Sequence, residues 1–118
     1  MPPIFPSSTF AHGNSHGFDY TRSGNPNFRI LESVLTGIEN CEYATVFGSG
    51  VSAITAIVSS LGAGDLVLCE ANLYGCTVRL FEKVFQKFGV KTAWVDFTQE
   101  SAIHVIKEKL PAMIWIES

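Results

Sequence analysis

From residue 43 onward the chain alternates between short apolar runs and apolar residues at helical spacing, and few folds accept that pattern. Tyr43 to Phe47, Leu66 to Cys69, Val90 to Val95 and Ala112 to Ile116 read as strands. Between them, Ala53, Ile54, Ile57, Val58 and Leu61 repeat as one face of a helix. Val78, Phe81, Val84, Phe85 and Phe88 mark another, and Ala102 to Leu110 a third. Gly62 and Gly64, Gly89 and Pro111 close these segments. Strands that alternate with helices through short loops form βαβ units and a mostly parallel sheet. Such a sheet is covered by helices on both faces. The fold class expected is therefore α/β.

Residues 1 to 25 follow a different rule. Pro2, Pro3, Pro6, Gly13, Gly17 and Gly24 punctuate them, and no period survives, so they are expected to form an extended, irregular arm. At Asn25-Pro26 the character changes: Asn suits an N-cap and Pro the first helical position. Phe28, Leu31, Val34, Leu35 and Ile38 then line one face of a helix. The expected organisation is an arm over 1–25 and part of a larger domain over 26–118. The final strand ends at the C-terminus, where a functional loop usually begins, which points to truncation.

Composition excludes several classes. Hydrophobic residues make up 47% and charged residues 16%, a core-forming balance rather than a disordered one. The net charge is −3 and the Lys and Arg residues are scattered, so no basic footprint for nucleic acid exists. Cys41, Cys69 and Cys76 form no CxxC pair, which argues for a reducing, cytoplasmic setting. The opening MPPIFPSSTF lacks the basic and apolar regions of a signal peptide. Tyr43 to Gly64 is uncharged, but its Gly, Ser and Thr residues break it into strand, loop and helix rather than a membrane span.

Gly48-Ser49-Gly50-Val51-Ser52 lies between a strand and a helix. A helix N-terminus offers unpaired N–H groups and the positive end of the dipole, and glycine lets a ligand approach the backbone. A phosphate monoester fits such a place; so does a plain glycine-rich turn. Gly48-Ser-Gly50-Val-Ser-Ala53 also matches the dinucleotide pattern GxGxxA. Glu70 follows about twenty residues on, where a ribose-binding acid would sit. Against NAD stands the order of elements, since that fingerprint usually follows the first strand of its domain.

The chain carries further motifs: YTRSGNPN at Tyr20 to Asn27, FGSGVSAIT at Phe47 to Thr55, GDLVLCEANLYGCT at Gly64 to Thr77, and IWIES at the C-terminus. In this order and at this spacing they resemble the Cys/Met-metabolism (trans-sulfuration) family of pyridoxal-phosphate (PLP) enzymes. The resemblance covers essentially the whole chain. It implies the N-terminal arm and part of the large PLP-binding domain of fold-type I. It further implies a homotetramer, a dimer of dimers, of lyases or transferases with active sites between two subunits. Gly50 and Val51 would then give N–H groups to the PLP phosphate, with Ser49 nearby. Tyr20 and Arg22 would reach the phosphate of the partner subunit's cofactor. Tyr74, the expected catalytic residue, would stack on the pyridine ring. Cys76 would lie on the substrate side, and the YGCT form is similar to that of methionine γ-lyases. A guanidinium suits a phosphate, and a tyrosine face suits an electron-poor ring.

Val51 departs from the family, which often has methionine there. The family's Schiff-base lysine, its pyridine-nitrogen aspartate and its carboxylate-binding arginine all lie beyond Ser118, so the chain alone is expected to be inactive. The expected function is PLP-dependent C–S lysis or γ-replacement on a small sulfur amino acid, with no role for nucleic acid, membrane or metal. The alternatives are an NAD-binding domain built on Gly48, Gly50 and Glu70, and a non-catalytic remnant that only pairs with a full-length subunit. His12 and His16 lie in a glycine-broken arm and are not read as metal ligands, and His104 reads as packing or rim. Cys41 and Cys69 read as small core residues, Glu39 and Glu42 as a solvated face, Trp94 and Trp115 as core or interface.

Overall fold

A computed structural model describes residues 2–117. They divide into two compact units, Met1–Gly48 and Ser49–Ser118, so the first helix groups with the arm.

In the first unit the arm is more ordered than its punctuation suggests. Gly13 and Gly17 take the left-handed backbone conformation and fold residues 8–21 back on themselves. Thr9 and Tyr20 form an antiparallel bridge, flanked by Phe10 N–H to Asp19 O at 2.8 Å and Thr21 N–H to Ser8 O at 2.9 Å. The Asn14 side chain organises the turn: its amide donates to the carbonyls of Ala11 and Phe18, and its Oδ1 accepts from the N–H groups of His16 and Phe18. Helix α1 spans Pro26–Glu39. Asn25 caps it as expected, with Oδ1 accepting the Asn27 N–H at 2.8 Å, and its amide donates to Thr21 Oγ1 at 2.9 Å. Asn40 ends α1 in the left-handed conformation, its N–H bonded to Thr36 O. No residue of α1 is buried; Phe28, Leu31, Val34 and Ile38 are exposed.

One expected strand is absent: Tyr43 to Phe47 has no ladder partner among the described residues, and Val46 donates its N–H to the Glu32 carboxylate at 3.1 Å instead. A strand exists only by pairing, and β-type composition does not supply a neighbour.

The second unit is an α/β layer of α2 (Gly50–Val58), β1 (Leu66–Glu70), α3 (Gly75–Lys83), a 3₁₀ turn (Phe85–Phe88), β2 (Lys91–Val95), α4 (Ala102–Lys109) and β3 (Met113–Trp115). The sheet is parallel throughout, in the order β2-β1-β3. β1 is the centre: Val67, Leu68 and Cys69 are fully buried, as a parallel strand covered on both faces requires. Val67 and Cys69 pack with Val58 of α2, Leu80 and Phe81 of α3, Phe85 and Val90. Trp115 meets Phe81 edge-on, with ring centroids 6.1 Å apart.

The helix expected over Val78 to Phe88 is not continuous: α3 ends at Lys83, Val84 caps it with φ −111° and ψ −66°, and Phe85–Phe88 follow as the 3₁₀ turn. The break turns Phe85 into the core while Val84 and Phe88 stay exposed, so the expected apolar face is only partly buried. Gly89 closes the turn at φ +84°, and a Cβ there would come within 2.8 Å of the Ala63 methyl. Only glycine fits, because both its backbone conformation and its contact exclude a side chain.

Candidate functional site

In the second unit, α2 runs back to the start of β1 through a short connection, so its N-terminus lies at the C-terminal edge of the sheet. β1 and β3 also end at that edge, and ligands of open α/β sheets bind there.

Ser49 is the N-cap of α2, with extended backbone. Its Oγ accepts the Ser52 N–H at 3.1 Å and lies 2.8 Å from Ser52 Oγ. The two hydroxyls therefore serve each other and the helix first. The Ala53 N–H goes to Ser49 O, and among the described residues no acceptor is bonded to the N–H of Gly50 or Val51. A Cβ on Gly50 would meet nothing within 4 Å, and its φ is not positive. Neither packing nor backbone geometry demands glycine here, so the space above it is open to a ligand. Two free N–H groups, an open approach and the positive helix end fit a phosphate.

The rival acid is committed elsewhere. Glu70 Oε1 accepts the Ala71 N–H at 2.8 Å and Oε2 the Phe97 N–H at 3.1 Å, which ties the end of β1 to the segment after β2. With no paired strand before Gly48 and Glu70 bonded to backbone, the dinucleotide reading loses both its supports.

Tyr74 precedes α3, where β1 has ended, and its side chain is 62% exposed. Two residues on, Cys76 Sγ accepts from Arg79 Nη2 at 3.1 Å. The hydrogen bond with Cys76 is the main cause that raises the Tyr74 pKa. The same contact, followed by that of Arg79, lowers the pKa of Cys76. Tyr74, Cys76 and Arg79 thus form one polar cluster.

Glu117 was not singled out by sequence reasoning. Its Oε2 accepts the Tyr74 N–H at 2.9 Å, while Oε1 accepts from Thr77 Oγ1 at 2.7 Å and Trp115 Nε1 at 3.0 Å. Burial alone would raise its pKa; the three donors outweigh that and hold it below the usual carboxylate range. It lies inside the IWIES motif, but the motif does not announce its role, because its partners are spread over more than one element.

Tyr20 and Arg22 belong to the first unit. The Arg22 guanidinium lies 5.1 Å from the centroid of the Tyr20 ring, a cation–π arrangement. Arg22 also lines a shallow cavity with Asn25, Phe28 and Glu32. His12, His16 and His104 are exposed, as are Glu39 and Glu42. Cys69 is buried, and burial pushes its thiol up to about 12. Cys41 is exposed, contrary to its expected core position; it follows the end of α1 in a segment to which no strand is assigned among the described residues. Trp115 joins the core, while Trp94 is more than a third exposed. Among the described residues no helix is long and apolar enough to cross a membrane.

Comparison with known proteins bears on this edge of the sheet. The family described as Cys/Met metabolism PLP-dependent enzyme matches residues 1–118. The chain is 36% identical to cystathionine gamma-lyase of Bos taurus, covering 100% of this chain and 30% of that protein. It is 37% identical to the cystathionine beta-lyase MetC of Staphylococcus haemolyticus, covering 99% of this chain and 31% of that one. Among solved structures, the cystathionine gamma synthase of Xanthomonas oryzae pv. oryzae, in complex with aminoacrylate and cysteine, superposes with a TM-score of 0.87. It is 30% identical and covers 99% of this chain and 31% of that one. The chain therefore spans about a third of the length of these relatives. They are cystathionine enzymes, and the likeness to methionine γ-lyases rests on the YGCT form alone. With the matched family covering every residue, and the free N–H groups at α2 fitting the phosphate its cofactor carries, the chain belongs to the Cys/Met metabolism PLP-dependent enzyme family.

Proposed function

We propose that this chain is the N-terminal part of a PLP-dependent enzyme that removes or exchanges a γ-substituent of a sulfur amino acid. The observation that carries the reading is the pair of unbonded N–H groups of Gly50 and Val51 at the sheet edge where Tyr74 is also exposed. When bound, PLP supplies an electron sink for the carbon that bears the amino group. The chain's own part is to hold and orient. Gly50 and Val51 donate N–H groups to the phosphate, with the α2 dipole behind them and Ser49 capping that helix end. Tyr74 presents its ring face to the pyridine, and Cys76 lies toward the substrate. Arg22, held by Tyr20, contributes a fork of donors to a phosphate in a partner subunit. The assembly proposed is a homotetramer in the cytoplasm, with the cofactor-linking lysine supplied by sequence after Ser118.

The test uses the full-length protein that contains this chain. Titration with PLP, followed by visible absorbance, is expected to saturate at one cofactor per subunit. Arg22→Ala is expected to weaken retention by about tenfold, the scale of one charge-assisted hydrogen bond. Mixing that variant with a lysine-deficient one should restore part of the activity, because a hybrid dimer holds one intact site. No recovery in well-mixed hybrids sinks the shared site. A full-length protein that takes up no PLP sinks the whole reading and leaves the non-catalytic one.

A further inference from the structure

One carboxylate joins two parts of the second unit that lie 43 residues apart in sequence. Tyr74 sits at the N-cap position of α3, yet its side chain makes no capping hydrogen bond. The backbone N–H of Tyr74, at the start of the helix, is met from outside: its acceptor is Glu117. The carboxylate takes the Tyr74 N–H on one oxygen, and Thr77 Oγ1 with Trp115 Nε1 on the other. Thr77 is fully buried and Trp115 packs on Phe81, so the anchor side of this clamp is fixed in the core. A negative charge at the N-terminal end of α3 also complements the helix dipole.

The Tyr74 side chain, by contrast, is exposed and has little packing of its own to set its direction. The ring goes where the backbone at residue 74 sends it, and the Tyr74 N–H is what Glu117 holds. We propose that Glu117 is a positioning residue, clamping the loop between β1 and α3 so that the Tyr74 ring is presented to the cofactor at a fixed angle. This rests on the PLP reading above. Glu117 touches neither cofactor nor substrate in this role; it acts through Tyr74.

The chemistry makes a sharp test available. An ionised carboxylate accepts on both oxygens and donates nothing, which suits a site that offers three donors. In Glu117→Gln, either orientation of the amide turns an NH₂ toward an N–H donor, of Tyr74 or of Trp115. The isosteric change is therefore expected to break the clamp rather than preserve it. The experiment compares the full-length protein with its E117Q variant, first without cofactor, by amide hydrogen exchange of the Tyr74 loop. Exchange at the Tyr74 amide is expected to speed up by about tenfold or more, while amides of β1 keep their rates. PLP titration of the same samples is expected to show about a tenfold weaker Kd in the variant. Should E117Q fail to fold, Thr77→Val takes its place. It removes one of the three donors, and both readouts should move the same way by about threefold.

Unchanged Tyr74 exchange in the folded variant overturns the clamp. Faster exchange with an unchanged PLP Kd overturns the positioning role and leaves a purely structural contact. In both cases the unmodified protein still binds PLP, so the PLP reading stands. Failure of the unmodified protein to bind PLP is the separate result that removes that reading and the positioning role with it.

Discussion

The two units of this chain are held by different forces. In the second, Val58, Leu80, Phe81, Phe85 and Val90 form one buried cluster with Val67 and Cys69 of the central strand. In the first, the residue that is buried is a polar one, Asn25, and order comes from side-chain amides: Asn14 in the turn, Asn25 at the cap, and Asn27 exchanging two hydrogen bonds with the Phe5 backbone. The apolar stripe of α1 is present but uncovered. A sheet centre buries surface on both faces at once, whereas a helix with a hairpin-like arm offers apolar groups that its own unit does not cover. Hydrogen bonds of the second kind each contribute about 1 kcal/mol net, against about 1.5–3 kcal/mol for a fully buried large apolar side chain.

The strongest way to break this comparison is to cut each unit at its best apolar residue. Phe81→Ala is expected to destabilise the chain by about 3–5 kcal/mol, because Phe81 is fully buried between Phe85 and Trp115. Leu31→Ala, on the exposed stripe, is expected to cost under about 1 kcal/mol by the same urea titration. An equal loss at Leu31 would mean that α1 is covered in solution, by another copy of the chain or by association of the units.

Acid and alkali offer a second comparison, within the core. Glu117 has its folded pKa below the unfolded value, so its contribution is present above the unfolded pKa and disappears as pH falls through the folded one. Cys69 has the opposite sign: its folded pKa is raised from 9.0 to about 12, so stability is complete below pH 9 and declines toward pH 12. The expected slope in that alkaline window is up to about 1.4 kcal/mol per pH unit, and Cys69→Ala should flatten it. A flat alkaline limb in the parent chain would mean that Cys69 is hydrated.

Caps give a finer contrast. Asn25→Ala and Ser49→Ala each remove a helix cap, at an expected cost of about 0.5–2 kcal/mol. The loss should be larger at Asn25, which is buried and also bonds Thr21, than at exposed Ser49. The reverse order would show that the polar network of the first unit contributes little.

The smallest effect is chemical. Cys41, exposed after α1, is expected to react with a thiol reagent in native buffer at least about tenfold faster than Cys69, which should react only on unfolding. Comparable rates would mean that β1 opens readily.

Much of the second unit was legible because its signals are local. Gly89 must be glycine, Ser49 carries its own cap chemistry, and β1 is apolar enough to be central. Tyr43 to Phe47 misled because a strand is a relation between two segments, and here the partner is absent. The helix over Val78 to Phe88 misled because its spacing satisfied a single helix, while burying Phe85 required a break at Val84. Within the candidate site, the loop glycine and Tyr74 could be named from motif order, since phosphate binding at a helix start needs only neighbours in sequence.

By itself, then, the sequence determined the elements and their caps, because each depends on residues a few positions apart, and through the order of elements and motifs along the chain it determined the parallel sheet and the family. The tertiary structure decided which carboxylate served which end. Glu70, placed by spacing as a ligand-binding acid, was consumed by the amides of Ala71 and Phe97. Glu117, given no role of its own within the IWIES motif, gathered Tyr74, Thr77 and Trp115. A carboxylate takes whatever donors the parallel sheet brings to its strand end, and those donors come from segments whose proximity exists only once the sheet has formed.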